Sequence, residues 1–444
     1  MTDGQARGAW RLAAIPFAVG ASCRLLAVAY AQVLHGNFLF LDDQGYDRIG
    51  WSLAQAWHVN SFPSPGSIGY AGTLSYLYYV VVAAVYFVFG HHWIVVKVIG
   101  ALLSALSVPA AAAIGDSLGG RRLAGAAAWL AALYPNAVFW GSTGLKDGPS
   151  ATLLLAVVAI AFRPPAIRRV VSAGVLIAGA FLFRPVLGIS ALVMMVASAV
   201  DWARRRGREL PLRGRTRLLV LLVGLPVLLV VSGALAVRYL PTLDASTASE
   251  TAPAGAAPVT ISYSFSPSGF LRALLGPYPW SFGPTSDTIY RALYPGMLVW
   301  ILMVPAMALG CWELLRRGPW AARGLVVSAL AFLYLYATVF QDEGFFRQRY
   351  TVEIPLLVVG LYAFQRYPHR AAIGTAVGAC VVAPAALVQA RVVSLGDLVL
   401  LAAVLASVWW VGRMARGRVY HVNRWRERVR QALIRSEADG GRGG

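Results

Sequence analysis

The feature that most constrains this chain is a series of long apolar runs that continues along nearly its whole length. Runs of about 15–25 residues, the length of a membrane-crossing helix, recur between Trp10 and Trp410. Of the 444 residues, 58% are hydrophobic and only 13% are charged. A soluble domain of this size carries about twice that share of charged residues. The sequence therefore predicts an all-α polytopic membrane protein.

The apolar runs predict about twelve transmembrane helices. They lie near residues 10–34, 93–116, 123–142, 147–162, 170–183, 186–200, 218–237, 293–314, 322–340, 351–366, 371–388 and 397–412. The stretch 170–200 is divided into two helices because Arg184 and Pro185 fall in its middle. An unpaired arginine is costly at the centre of a bilayer, and proline interrupts the helical hydrogen bonds.

The formal net charge of +20 comes mainly from arginine-rich loops between the apolar runs. The most basic segments are 201–217, 314–323, 366–370 and 413–435. Basic loops mark the cytoplasmic side of a membrane protein and attract anionic lipids. The pattern predicts both termini inside, membrane lipids as neighbours and no nucleic-acid partner. Lys97 and Lys146 are the only lysines, and this excess of arginine suggests a GC-rich bacterial genome, so we expect a bacterial cytoplasmic membrane.

This orientation divides the chain into four parts. A first transmembrane module covers 1–237 and contains an outer loop at 35–92. A large outer loop follows at 238–292, then a second transmembrane module at 293–412 and a basic cytoplasmic tail at 413–444.

Charge parity allows only one crossing between residues 72 and 121, yet two apolar stretches lie there, at 74–90 and 93–116. The first is rich in Tyr and Phe, which is typical of a membrane–water interface. We therefore expect 74–90 to lie along the outer surface or to dip into it. The alternative is an ordinary crossing helix and a miscount elsewhere.

An acidic pair opens the segment LDDQGYDRIGWSLAQAW at residues 41–57. Asp42 and Asp43 precede a helical face formed by Tyr46, Ile49, Leu53 and Trp57. The spacing predicts an interfacial helix whose first turn holds both acids, and a helix N-terminus favours ionised carboxylates. A charged carboxylate held in this way suits a general base. The alternative is a helix cap formed by surface acids.

A second acidic segment reads GSTGLKDGPSATLLL at residues 141–155. Asp147 followed by Gly148 and Pro149 predicts a helix start with the aspartate as cap. Charge parity places it on the same outer side as Asp42, so it is either a second site residue or only a cap. The neighbouring Lys146 can contact a phosphate or simply extend toward the interface.

Three arginines are also expected at outer helix ends, where positive charge has no role in setting topology. They are Arg184, Arg347 and Arg349. Arginine binds phosphate with a planar pair of donors, so an outer arginine pair suggests a lipid phosphate. The alternative is ion pairing with the nearby acids Asp342, Glu343 and Glu353.

The sequence leaves the cofactor unknown. A divalent cation is compatible with the acidic residues, but nothing in the sequence requires one. The adjacent His91 and His92 give little support for a metal site, because neighbouring residues on a helix do not face each other.

Several segments together resemble the GT-C glycosyltransferases, which include the protein O-mannosyltransferases and the lipid A aminoarabinose transferases. They are LDDQGYDRIGWSLA, LYYVVVAAVYFVFG, GDSLGGRRLAGAAAWLAALYP, GSTGLKDGPS and RQRYTVEIPLLVVGLYAF. The resemblance covers most of residues 10–200 and 340–365. It implies a GT-C-like fold and a polyprenyl-phosphate-linked sugar donor. It also implies inverting transfer to a hydroxyl of a glycan, lipid or protein on the outer face of the membrane.

The same resemblance suggests roles for individual residues. Asp42 would be the catalytic base, Asp43 the second acid of the pair, where the family more often has Glu, and Asp147 a further acidic position. The expected substrate contacts are Tyr46, Lys146, Arg184, Arg347, Arg349 and Tyr350. A transporter or flippase of lipid-linked glycans, or a polymerase of them, is the alternative function. A flippase should carry charge through the inner half of its helices, and the paired acids argue against a polymerase.

Overall fold

The computed structural model describes residues 3–37, 39, 41–63, 76–163, 166–206, 274, 292–339 and 345–376. The described residues form helices joined by short connections and contain no strand. The predicted helices at 218–237 and 397–412 and the tail at 413–444 lie outside the described residues, as does nearly all of the loop 238–292.

Ten helices form the first part of the described chain. They are α1 (Asp3–His35), α2 (Leu41–His58), α3 (Tyr76–Phe89), α4 (Trp93–Ala105), α5 (Ser107–Gly119), α6 (Arg121–Leu133), α7 (Pro135–Ser142), α8 (Asp147–Ala161), α9 (Ile167–Phe183) and α10 (Pro185–Arg206). Three further helices follow in the later part of the described chain. They are α11 (Tyr294–Arg317), α12 (Trp320–Val339) and α13 (Phe345–Arg366).

Three helical segments of the described chain are long and apolar enough to cross a membrane: Trp10–Leu34, Trp93–Gly119 and Tyr294–Arg317. The pair α6 and α7 would make a fourth, bent by 50° at the break between them. The chain is thus a helical membrane protein, as expected. The number of twelve crossings is not confirmed and stays a prediction.

The predicted division of 170–200 into two helices is confirmed. α9 ends at Phe183, Arg184 has extended backbone, and Pro185 begins α10. Proline is well suited to the first turn of a helix because the backbone donor that it lacks has no partner there anyway. The break therefore places the guanidinium of Arg184 at a helix junction, away from the centre of a continuous span.

α2 and α3 pack against each other. The apolar face of α2 is covered by α3, and Tyr46, Ile49 and Leu53 are buried there. Gly50 allows the close approach, because a Cβ at this position would lie 2.4 Å from Cγ1 of Val82. α3 has 14 residues, fewer than the about 20 that span a bilayer. Its position along the outer surface stays a prediction.

A buried arginine joins α1 to the end of α6. Arg24 is fully buried within the candidate span of α1. Its guanidinium donates hydrogen bonds to the carbonyl oxygens of Ala131, at 3.0 Å, and Ala132, at 3.4 Å. Because α6 ends at Leu133, these carbonyls lie in its last turn and lack helical partners. A cation at a helix C-terminus is also favoured by the helix dipole.

α8 lies at the centre of the first part of the chain and packs against α4, α5, α9, α10 and α13. Small residues allow these helices to approach closely. A Cβ on Gly148, for example, would lie 3.0 Å from the Cα of Gly141. This packing places the start of α8 beside α4, α13 and the break between α9 and α10, where the polar residues of the next section meet.

Candidate functional site

The two adjacent aspartates at the start of α2 lie in different environments. Asp42 is exposed, whereas Asp43 is fully buried. One oxygen of Asp43 accepts a hydrogen bond from the backbone amide of Leu39 at 3.0 Å. Consecutive helical residues point about 100° apart, so one carboxylate faces outward while its neighbour points into the protein. This arrangement fits the prediction that Asp42 faces an incoming substrate.

A lysine that sequence reasoning missed lies beneath the acidic pair. Lys97 of α4 is fully buried, and its ammonium donates to Oε1 of Gln32 at 3.3 Å and to the carbonyl of Gly36 at 3.2 Å. The carboxylate of Asp43 is close enough to act on this ammonium electrostatically. The available signal was an ionisable residue within an apolar run, which usually marks a functional position.

Tyr46 connects the first acidic segment to the second. Its ring meets the ring of Tyr78 edge-on at 4.9 Å and that of Tyr79 at 5.2 Å. The ammonium of Lys146 lies 5.8 Å from the centre of the Tyr46 ring, within the range of a cation–π contact. The expected substrate contacts Tyr46 and Lys146 are therefore neighbours, although they are far apart in the sequence.

The turn before α8 is fixed between α3 and α4. The hydroxyl of Tyr78 donates a hydrogen bond to the carbonyl of Gly144. Gly144 has φ +77°, a left-handed conformation that favours glycine. A Cβ here would also lie 2.9 Å from Cγ of Lys97. The turn that carries Lys146 and Asp147 is thus held against the same lysine that lies beneath the acidic pair.

Asp147 does not occupy the cap position of α8 that the sequence predicted for it. It is the first residue of the helix, and Lys146 occupies the cap position. Its carboxylate instead forms an ion pair with Arg184 at the break between α9 and α10, and both side chains are buried. The structure therefore brings two expected site residues together in one ion pair.

Arg349 forms the ion pair with Glu353 that the sequence left open as an alternative. Its Nε lies 2.7 Å from Oε1 of the glutamate, and its guanidinium lies 4.9 Å from the ring centre of Trp300. The other oxygen of Glu353 accepts hydrogen bonds from the hydroxyl of Tyr134, at 2.7 Å, and the amide of Asn136, at 2.9 Å. This buried network joins α13 to α11 and to the break between α6 and α7.

Arg347 and Tyr350 are the two other expected site residues of this segment, and the structure describes the side chain of only the second. The side chain of Arg347 lies outside the described residues, and so do Asp342 and Glu343. Tyr350 is fully buried, and its hydroxyl interacts electrostatically with Arg24 and Asp147. Its contact with a substrate stays a prediction.

A second polar cluster fastens α2 to α3. Asp47 pairs with Nε2 of His91 at 2.9 Å and accepts a hydrogen bond from Tyr86. Burial, with Asp47 beside it, raises the pKa of the Tyr86 hydroxyl well above its usual range, so this group remains a donor. The ring of Trp51 stacks on His91 at 4.6 Å.

Across the described part of the chain, no three His, Cys, Asp or Glu side chains are grouped so as to hold a metal ion.

Together these contacts bring two acidic helix starts and two lysines to one place. An exposed carboxylate can accept a proton, and a lysine ammonium beside it can stabilise an anion. The aromatic rings around them offer flat apolar surfaces of the kind that bound sugars contact.

No protein-family description and no curated protein sequence matches the chain. In contrast, solved structures do match the chain. The chain is similar to ArnT from Cupriavidus metallidurans bound to undecaprenyl phosphate, with a TM-score of 0.52 and 16% identity over 94% of this chain and 79% of that one. The apo state of ArnT gives a TM-score of 0.49 at 16% identity, over 86% of this chain and 74% of that chain.

The apo oligosaccharyltransferase of Archaeoglobus fulgidus has a TM-score of 0.48 at 13% identity, over 92% of this chain and 56% of that one. The similarity to the ArnT complex extends over nearly the whole chain and shows a shared fold. The GT-C fold that the sequence motifs suggested is thereby confirmed.

Proposed function

We propose that this chain is a membrane glycosyltransferase. It would transfer a sugar from a polyprenyl-phosphate-linked donor to an acceptor hydroxyl on the outer face of a bacterial cytoplasmic membrane. The observation that carries the proposal is the meeting of the two acidic helix starts, with Lys146 of one segment on the ring of Tyr46 of the other. The GT-C fold supports the same reaction class, by analogy of fold.

In the proposed reaction Asp42 is the general base. The acceptor oxygen attacks the anomeric carbon while the exposed carboxylate of Asp42 takes the hydroxyl proton. The bond from the anomeric carbon to the phosphate oxygen breaks, and its electron pair leaves with the polyprenyl phosphate. Attack and departure occur on opposite faces of the sugar, so a single displacement inverts the anomeric configuration.

Lys146 is the cation best placed to stabilise the departing phosphate. Its side chain is only half-buried and lies beside the first acidic segment. Fixed positive charge at the position where negative charge develops lowers the barrier most effectively when it is already in place. Arg184, Arg347 and Arg349 stay candidates for further phosphate contacts, although Asp147 and Glu353 already pair with two of them.

The positions of the acidic pair and of Lys146 also suggest how the two substrates approach. The polyprenyl chain would remain in the bilayer, with its phosphate at the outer surface near Lys146. ArnT has been captured with undecaprenyl phosphate, a lipid of the same class. The acceptor, a glycan, lipid or protein, would reach Asp42 from the aqueous side. Its hydroxyl then needs no passage through the apolar interior.

The deciding experiment is mass spectrometry of the cell-envelope glycans, glycolipids and glycoproteins of a deletion strain. We expect the loss of one sugar modification and its return with the wild-type gene. The Asp42→Asn gene should not restore it, whereas Arg48→Ala, which alters an exposed residue of the same helix, should. An unchanged set of sugars in the deletion strain would refute the proposed function. A lost sugar that the Asp42→Asn gene restores would refute the assigned base.

A further inference from the structure

Lys97 is a buried cation for which neither the motifs nor the proposed reaction gives a role. It lies in the second turn of α4, within a candidate membrane span, and none of its surface is exposed. Ionisable residues are rare in such spans because removing their charge from water is costly, and they usually serve a function. The surroundings of this lysine indicate which function that is.

The ammonium of Lys97 holds the end of α1 and the connection that leads to α2. It bonds Gln32 in the last turns of α1 and the carbonyl of Gly36 just after that helix. Gln32 in turn donates to Oδ1 of Asn37 at 2.7 Å. Asp43 holds the same connection from the other side by accepting the amide of Leu39.

Lys97 also contacts the second acidic segment. Its aliphatic chain packs beneath Gly144, in the turn that carries Lys146 and Asp147. The same lysine therefore touches the polypeptide before Asp42 and the turn before Asp147. A shift of its side chain would therefore displace both of these segments of the proposed site.

We propose that Lys97 is a positioning residue that keeps the acidic pair of α2 in a fixed position relative to the turn before α8. Its hydrogen bonds to Gln32 and Gly36 fix the connection that sets the direction of Asp42. This role rests on the proposed function, since it concerns the placement of the proposed base. Lys97 itself touches neither sugar nor phosphate.

The kinetic test uses purified full-length protein, a panel of undecaprenyl-phosphate-linked sugars as donors, cell-envelope extract of the deletion strain as acceptor, and the variants Lys97→Met, Asp43→Asn and the double variant. We expect Lys97→Met to lower kcat roughly tenfold to a hundredfold with little change in the KM for the donor, since a small misplacement of a reacting group has this effect. The double variant should lose no more than the worse single variant, because the two residues act as one unit. The control Arg48→Met removes an exposed cation and should leave kcat unchanged.

Hydrogen exchange at the amide of Leu39 gives a second readout that needs no substrate. It should be faster in Lys97→Met than in the wild type and unchanged in Arg48→Met. If Lys97→Met does not fold, Gln32→Ala removes one partner of the ammonium and should show the same two effects more weakly. Wild-type kcat together with wild-type exchange at Leu39, in whichever of these variants folds, would overturn the inference. Losses of kcat in the single variants that simply multiply in the double variant would also overturn it.

The two proposals fail in different ways. A wild-type protein that transfers no sugar from any of these donors defeats the proposed function, while exchange at Leu39 still reports whether Lys97 holds the connection. An active wild-type protein whose Lys97→Met variant matches it in both measurements defeats only the positioning role.

Discussion

Arg184, in the break between α9 and α10, donates a hydrogen bond to the carboxylate of Asp147 at the start of α8, and the two side chains are only 4% and 0% exposed. A buried ion pair of this kind adds little net stability compared with an apolar pair, because both charges have been removed from water. Removal of one partner is destabilising, since the remaining buried charge then loses its counter-charge.

The first prediction concerns this ion pair. Arg184→Gln should destabilise the protein by about 3–5 kcal/mol, because the carboxylate of Asp147 loses its counter-charge. The double variant Asp147→Asn, Arg184→Gln should cost clearly less than the two single costs added together. Thermal unfolding of purified protein in detergent measures both quantities. Additive costs would show that the two side chains do not depend on each other.

The second prediction concerns Asp42. Asp42→Asn should abolish transfer and leave the unfolding temperature almost unchanged, since an exposed cap contributes only about 1 kcal/mol. Loss of a general base lowers turnover roughly a hundredfold or more. Asp43→Asn is the informative contrast, because that residue is buried and its loss should reduce stability as well as rate. A variant of Asp42 that keeps most of its turnover would identify this residue as a cap only.

The third prediction separates two roles of Arg349. If the arginine is structural, Glu353→Gln should reproduce the loss of thermal stability seen in Arg349→Ala, because both changes break the same buried pair. If it also binds the donor phosphate, Arg349→Lys should raise the donor KM, whereas Glu353→Gln should not. Donor titrations with folded variants provide the comparison. Unchanged donor dependence in an Arg347→Ala, Arg349→Ala double variant would end the phosphate-binding hypothesis for these arginines.

The fourth prediction tests the helix packing that supports the site. Gly115→Ala should destabilise the protein by roughly 1–3 kcal/mol, because the packed core cannot accept the added methyl group. That group would lie 2.7 Å from the carbonyl oxygen of Leu123 and 3.0 Å from the Cα of Ala124, both backbone atoms. Gly125→Ala is the matched control, since nothing lies within 4 Å of its Cβ position. Equal thermal stability of the two variants would contradict the close contact of α5 with α6.

The fifth prediction concerns orientation. In a background without Cys23, Cys311 and Cys380, Phe62→Cys should react with a membrane-impermeant maleimide in intact cells. Its side chain is 82% exposed at the end of α2. Arg317→Cys, at a basic loop expected inside, should react only after the membrane is permeabilised. Labelling in the reverse order would invert the topology and remove the outer site.

Sequence patterns predicted where the helices of this protein lie better than they predicted which helices pack against each other. Helix starts at Asp42 and Asp147 and the break at Arg184 depend on local chemistry, in which charge, glycine and proline act within a few residues. The apolar face of α2 was also recognised by its spacing. Lipid and a neighbouring helix are equally apolar environments, however, so the pattern could not show that α3 covers this face.

Local sequence patterns cannot predict contacts between side chains that lie far apart in the sequence. The pairing of Asp147 with Arg184 joins residues 37 positions apart, and a cap was the nearer explanation. Arg349 and Glu353 are one helical turn apart, so their ion pair was foreseen as an alternative. Lys97 and Arg24 were overlooked because hydropathy averages over a window and a single charge hardly changes that average. Attention to each ionisable residue inside an apolar run would have found both.

The contact of Arg24 with the end of α6 has a consequence for the order in which the protein assembles. Besides the carbonyl of Gly20 in its own helix, this arginine has two carbonyl partners that are supplied 107 and 108 residues later in the chain. α1 must therefore leave the ribosome and reach the membrane while the chain has yet to provide them. During that interval the guanidinium has, of its final partners, only the carbonyl of Gly20 in its own helix, and water or lipid headgroups must satisfy its other donors. The buried arginine reaches its full set of hydrogen bonds only once α6 has been made and has ended at Leu133.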